Sequence, residues 1–287
     1  MNVRVKIINA FSIDNAGGNP AGVVLNADAL TSAEKQQIAA KVGVPETAFV
    51  SRSQTAAIKL DFFTPAKQIP HCGHATIAVF SYLRQQGLLS GDVSSKETID
   101  GNRTIFFESG KAFMEQKAPT YSKPERDYPV IYQSIGITEE DLVPGLSPMI
   151  VNTGNSFLVI PLNDERILTN LNPNFEQIQA ISGRYGLIGY YAYTQPENDT
   201  FLQATTRMFA PLYGIDEESA TGMAAGPLAC FLYDNNLVDT NLIRIEQGKF
   251  MSHPSRSLLE VRLETESRTI KKLFAGGNAY VSGERVI

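Results

Sequence analysis

The chain is poor in the residues that staple small or metal-built proteins together. It has 287 residues but only two cysteines, Cys72 and Cys230. Two thiols cannot make a disulfide scaffold, and reduced cysteines in a cytoplasmic protein are the expectation. Three histidines, two of them in His71-Cys72-Gly73-His74, do not form a zinc set, so no metal is expected. No apolar run approaches the roughly 20 residues of a membrane helix. The first residues, Met1 to Ile8, alternate like a strand and lack the apolar segment of a signal peptide. The net charge is −5, with no basic cluster, which argues against nucleic acid and anionic membrane as partners.

What the chain does contain is an ordinary globular composition, 43% apolar and 19% charged, which excludes disorder as the main state. The length is enough for two domains with real cores. One stretch stands out. The strand-like run Ile58–Phe63 ends at Thr64-Pro65, and after a short loop Cys72-Gly73-His74 opens an apolar helix over Ala75–Leu83, stopped by Gly87. Small residues at a helix start let a ligand approach the backbone, and the unpaired first-turn N–H groups suit an anion. A weak copy follows Phe209-Ala210-Pro211, where Ala220-Thr221-Gly222-Met223 opens a second helical run.

Other landmarks repeat in the same order. Gly18-Asn19-Pro20-Ala21 before the strand Ala21–Leu25 matches Gly154-Asn155-Ser156-Phe157. The helix begun by the capping box Thr31-Ser32-Ala33-Glu34 matches one begun at Asn172-Pro173, with Asn as cap and Pro at the first position. Gly43-Val44-Pro45-Glu46, before the strand Thr47–Val50, matches Gly186-Leu187-Ile188-Gly189. Thr104–Phe107 and Lys111–Met114 form a hairpin around Ser109-Gly110. The proline-rich stretch near Pro119–Pro129 reads as a linker. The expected organisation is a half-repeat over 1–118, a linker over 119–129 and a second half-repeat over 130–287. Each half has strands and one helix apolar nearly all round, as a curled sheet wrapped about a central helix requires. A site in the cleft between the halves follows as an expectation.

These residues carry a resemblance. Gly18-Asn19-Pro20-Ala21, Glu46-Thr47-Ala48-Phe49, Phe63-Thr64-Pro65, Cys72-Gly73-His74-Ala75-Thr76, Ala220-Thr221-Gly222 and Gln247-Gly248 are similar to the PhzF-like family, named for the phenazine biosynthesis isomerase. The resemblance runs through nearly the whole chain. It implies the α+β diaminopimelate epimerase-like fold: two similar domains, each a barrel-like, mostly antiparallel sheet around a helix. It also implies no cofactor, a homodimer, and an isomerase acting on a small carboxylate-bearing metabolite.

The residues themselves limit the chemistry. Glu46 is either a surface carboxylate or a partly buried one whose desolvation suits it to moving protons. The resemblance matches it to the family's catalytic acid/base. Its counterpart in the second half is Gly189, so one carboxylate stands on one side only, as an allylic isomerisation or tautomerisation on one face needs. His74, at a helix N-terminus where the dipole disfavours its charged form, is a packing residue or a catalytic one; the family has a pocket histidine here. Glu218 matches a family aspartate, its longer arm shifting the carboxylate by about 1.5 Å, and Asp216 and Glu217 stand beside it. Met223 replaces a serine of many members. The resemblance thus implies Glu46, His74 and Glu218 as catalytic, with Asn19, Cys72, Gly73, Thr221, Gly222 and Met223 binding substrate. His71 either lines the cleft or does not, and His253 reads as structural.

Two alternatives stand beside this reading. A two-base epimerase or racemase with facing thiols would use Cys72, but the second helix start has no cysteine, and Cys230 lies roughly 12 Å further along a helix. A non-catalytic metabolite- or partner-binding protein on the same scaffold is the other, and an intact Glu46 argues against it.

Overall fold

The computed structural model describes residues 2–196 and 199–287. The chain divides into two compact units, Met1–Glu115 with Gly276–Ile287, and Gln116–Ala275. The first contains β1 (Arg4–Ala10), β2 (Asn19–Val24), α1 (Ser32–Val42), β3 (Glu46–Ser51), β4 (Ile58–Phe63), β5 (Gln68–Ile69), α2 (Gly73–Gln85), β6 (Val93–Thr98), β7 (Gly101–Glu108) and β8 (Lys111–Gln116). The second contains β9 (Thr120–Ser122), α3 (Tyr128–Ile135), β10 (Met149–Asn152), β11 (Ser156–Pro161), α4 (Glu165–Thr169), α5 (Phe175–Tyr185), β12 (Gly189–Thr194), β13 (Ala204–Phe209), α6 (Gly222–Asp234), β14 (Leu242–Gln247), β15 (Ser257–Glu266) and β16 (Thr269–Gly277). The last strand, β17 (Ala279–Val286), returns to the first unit.

Strand pairing repeats step for step. In the first unit β1–β2 is antiparallel, β2–β3 parallel, β3–β4 antiparallel, β4–β6 parallel and β6–β7 antiparallel. In the second, β10–β11, β11–β12, β12–β13, β13–β14 and β14–β15 follow the same alternation. The parallel steps are crossovers through α1 and α2, and through α5 and α6, as parallel neighbours require. The duplicated α+β architecture expected from the sequence is therefore present.

Each sheet is covered on both faces. Ile38, Ala39 and Val42 of α1 pack with Val5, Val24, Phe49 and Phe63. Ile178 and Ile181 of α5 pack with Ile160, Tyr190 and Phe209. The opposite face takes the central helix. Every residue of α2 from Gly73 to Leu83 is buried, and α2 packs against β1, β2, β3 and β17. In α6, Ala224–Tyr233 is buried against β10, β11 and β15.

Local signals hold in most places. Thr31 and Glu34 form the reciprocal capping box. Ser109 (φ 50°) and Gly110 (φ 79°) turn the β7–β8 hairpin in the left-handed conformation that matches strand twist. Gly43 and Gly186 end α1 and α5 in the same left-handed geometry.

Three expectations need correction. The cap of α5 is Asn174, whose side chain accepts from the Gln177 N–H, not Asn172; Asn172 and Asn174 both precede an apolar run, and only backbone geometry separates them. The stretch 119–129 is not a linker, because Thr120–Ser122 pairs antiparallel with β10 as β9. Nor do the units follow contiguous halves, because β17 pairs with β1 across Arg4–Ala10. β9 and β17 play matching parts, each completing the edge strand that begins a repeat.

Candidate active site

The start of α2 gathers the chemistry of the first unit. Phe49 of β3 faces α1, so the alternation of the strand turns Ala48 and Glu46 toward α2. Glu46, Cys72 and His74 are all buried. Glu46 Oε2 lies 3.1 Å from His74 Nε2, and that oxygen accepts no aligned hydrogen bond from a described residue. The Cys72 Sγ lies 3.6 Å from His74 Nδ1. The imidazole therefore stands in a line, with the carboxylate at one ring nitrogen and the thiol at the other. This bears on metals. Glu46, Cys72 and His74 are close enough to form a candidate ligand set, but one ring nitrogen cannot face both partners, so the arrangement suits a proton relay rather than a chelate.

Burial pushes the Cys72 thiol above its ordinary value, with His74 opposing and Glu46 adding to the rise. The thiol stays protonated and behaves as a small packed group. Cys72, the N-cap residue of α2, makes no side-chain cap hydrogen bond, and the positive end of a helix dipole favours an anion. Asn19 is buried at the start of β2. It shares a strand face with Ala21, which pairs with Glu46. His71 stands outside the line, its Nδ1 3.2 Å from Lys96 Nζ and its ring edge-on to Phe62.

The start of α6 is built differently. Thr221 Oγ1 donates to Glu218 Oε2. Both are then clamped by Gln247, which uses its whole amide. Its Nε2 donates to the Glu218 carbonyl (2.7 Å) and to Thr221 Oγ1 (3.1 Å). Its Oε1 accepts from the Thr221 N–H (3.1 Å) and the Tyr191 hydroxyl (2.9 Å). Gly248 (φ 81°) is forced by contact as well as conformation, because a Cβ there would lie 2.2 Å from the Ser255 carbonyl oxygen. Gln116 Nε2 donates to the Gly222 carbonyl at 2.9 Å.

The three adjacent acids of this loop separate cleanly. Glu217 forms a two-pronged ion pair with Arg207. Asp216 is exposed, and Glu218 is the one joined to Thr221. Gly222 is buried and Met223 half-buried, with Asn155 Nδ2 3.4 Å from the Met223 sulfur. Cys230 is buried deep in α6, away from its first turn, and Thr221 occupies the place of Cys72, so a two-thiol site has no second thiol. His253 is exposed, with its Nδ1 3.4 Å from the Ser252 hydroxyl.

Two residues escaped the sequence reading. Gln247 was part of a family motif with no assigned task, and nothing local announces a clamp on a loop nearly thirty positions earlier. Lys96 lies in Val93-Ser94-Ser95-Lys96-Glu97-Thr98, which reads as a polar strand, yet it is fully buried.

The comparisons agree with this architecture. The family model described as phenazine biosynthesis-like protein matches residues 8–284. The uncharacterized isomerase YddE of Escherichia coli is 31% identical over 98% of this chain and 97% of its own. The crystal structure of a PhzF-family phenazine biosynthesis protein from Bacillus anthracis superposes with a TM-score of 0.88 at 28% identity, covering 100% of this chain and 99% of the other. A hydroxyproline epimerase from Agrobacterium vitis, solved with bound trans-4-hydroxy-L-proline, has a TM-score of 0.58 at 12% identity, covering 100% and 91%, and shares the fold.

Proposed function

Because the chain belongs to the phenazine biosynthesis-like family, we propose that it is a cofactor-independent isomerase that moves a proton within a small carboxylate-bearing metabolite. Relatives named as isomerases support the reaction class. The observation that carries the reading is the buried Glu46 carboxylate, 3.1 Å from His74, with an oxygen not engaged in an aligned hydrogen bond. Buried polar atoms are usually satisfied, and exceptions of this kind gather at reactive sites.

In this reading Glu46 is the general base and then the general acid. It removes a proton from a carbon next to an unsaturated or carboxylate-bearing centre. The electron pair moves into the conjugated system, and the protonated Glu46 returns the proton to another carbon on the same face. Substrate and product have the same atoms. His74 holds the carboxylate in place, and the Gly73 and His74 amide N–H groups donate to the developing anion. Asn19 and Cys72 line the same end of α2. Glu218 is assigned to substrate positioning, with Thr221, Gly222 and Met223 as binding groups. A homodimer in the cytoplasm belongs to the same reading, and sedimentation tests the dimer. No described helix is long and apolar enough to cross a membrane.

The test is a panel of small cyclic and acyclic carboxylates in D2O, trans-4-hydroxy-L-proline among them, read by mass and NMR for wild type and Glu46→Gln. Deuterium entering a carbon position with wild type, and at least a hundredfold more slowly with the variant, supports the proposal. Exchange indifferent to the variant, or tight binding with no exchange, overturns it and favours a binding protein.

A further inference from the structure

The proton-transfer pair leaves Lys96, a fully buried lysine of the first unit, without a task. Lys96 projects from β6 to the underside of α2. Its Nζ donates to Thr76 Oγ1 at 2.6 Å, lies 3.2 Å from His71 Nδ1 and sits 5.1 Å from the Phe62 ring centroid. The Thr76 hydroxyl in turn donates to the Cys72 carbonyl at 2.5 Å. No carboxylate of a described residue pairs with Lys96. The charged groups nearest to it are Arg103 of β7 and Asp100 of the β6–β7 turn, which pair with each other at 2.9 Å, and the Cys72 thiol at the start of α2 is the other titratable neighbour.

This is an expensive place for an ammonium group. Burial without an anionic partner costs stability. A cation near a helix N-terminus also opposes the helix dipole. The face of Phe62 offsets only part of that. The repeat shows that the fold does not need it. Phe63 and Phe209 hold the same ladder position, opposite Thr47 and Tyr190. Counting onward, Ile58 pairs with Lys96 where Ala204 pairs with Ile245. The start of α2 aligns with that of α6, so Thr76 corresponds to Ala225. Ile245 and Ala225 are both fully buried. The same backbone thus packs two apolar residues in one unit. It keeps a buried lysine and a hydroxyl in the unit that carries Glu46 and His74.

We propose that Lys96 is a positioning residue for the Glu46–His74 pair, acting through the Thr76 hydroxyl on the Cys72 carbonyl from which α2 begins. The inference rests on the proton-transfer reading of that pair. The chain of contacts runs from Lys96 to Thr76 to Cys72, and so fixes the residue two before His74. The same ammonium holds His71 Nδ1 as an acceptor, which leaves the His71 proton on Nε2. Desolvation lowers the Lys96 pKa to about 7, so the charge-assisted hydrogen bond to Thr76 weakens as pH rises through neutrality. Its folded value lies below the unfolded one near 10.4. Between about 7 and 10 the unfolded chain therefore binds the extra proton, and this group's penalty on stability, full below about 7, lifts as pH rises.

The experiment compares wild type with Lys96→Met, with the double replacement Lys96→Ile/Thr76→Ala that copies the second unit, and with Lys96→Arg. Imidazole 15N NMR resolves the chain's three histidines without any ligand, and thermal melting and the carboxylate exchange assay run beside it. The apolar variants are expected to melt at or above the wild-type temperature below neutral pH. They should shift the His71 and His74 resonances and abolish the step that Lys96 deprotonation near pH 7 is expected to impose on the wild-type His71 resonance. Exchange should fall about tenfold or more, and Lys96→Arg should restore part of it. His74 resonances and exchange both unmoved in the apolar variants would overturn the proposal, as would variants that melt well below wild type and lose exchange only in proportion to unfolding. Absence of Glu46-dependent exchange in wild type would remove the proposed function instead, while the NMR comparison still reports whether Lys96 places His74.

Discussion

The first turns of α2 and α6 stand at the same point of a repeated fold and are held by different means. At α2 the helix start carries an imidazole between a carboxylate and a thiol, and its first carbonyl is tied down through Thr76 to Lys96. At α6 the corresponding residues are Gly189, Met223 and Thr221, and an uncharged amide, Gln247, ties the loop from outside. Duplication supplied two equivalent backbones. In the proposed reading proton chemistry belongs to one of them, while hydrogen bonds from Gln247 set the shape of the other.

The clearest mark of this is Gly189. A Cβ at this position would lie 2.2 Å from the Phe209 carbonyl oxygen. The position that holds the candidate base in one unit therefore has no room for any side chain in the other. Installing the missing carboxylate by Gly189→Glu is the strongest way to break the comparison. We expect a loss of at least about 3 kcal/mol in urea unfolding, from displaced backbone rather than added charge. A stable, well-folded variant would mean that the two β-strand starts are interchangeable after all.

Removing the clamp is a smaller intervention. Gln247→Leu leaves the buried Thr221 N–H and the Tyr191 hydroxyl without an acceptor, a cost of about 1–3 kcal/mol. Hydrogen exchange should quicken at Ser219–Gly222 and leave Cys72–Thr76 unchanged. Equal quickening at both helix starts would contradict separate anchoring. Smallest is Thr31→Ala, which removes the α1 capping box at about 1 kcal/mol. It should lower the melting temperature with no change in the rate of proton exchange, so it sharpens the contrast between support and chemistry.

Much of this was legible in the residues and some could not have been. The repeat could be read because its punctuation is local: Gly43 and Gly186 end helices in a conformation that glycine favours, and Gly73 and Gly222 open the central helices. Glu46 and His74 were singled out by their match to the PhzF-like family, and the structure adds that both are buried and 3.1 Å apart. The return of β17 to β1 could not be read, since a strand records its own alternation but not its partner. Pro119 and Pro129 looked like linker chemistry, yet a three-residue strand fits between them, because an edge strand needs few backbone bonds. Lys96 escaped for the same reason that it is interesting. Its neighbours Ser94, Ser95 and Glu97 describe a solvated strand, and nothing local announces that Thr76, His71 and Phe62 gather around the ammonium.

The central claim is that one helix start carries the proton transfer, and Glu46→Gln set beside Glu218→Gln in the D2O exchange assay tests it most directly. The account predicts that Glu46→Gln removes label incorporation while Glu218→Gln slows it and raises the carboxylate concentration needed for half-maximal rate. Label incorporation that survives Glu46→Gln and disappears with Glu218→Gln would contradict it.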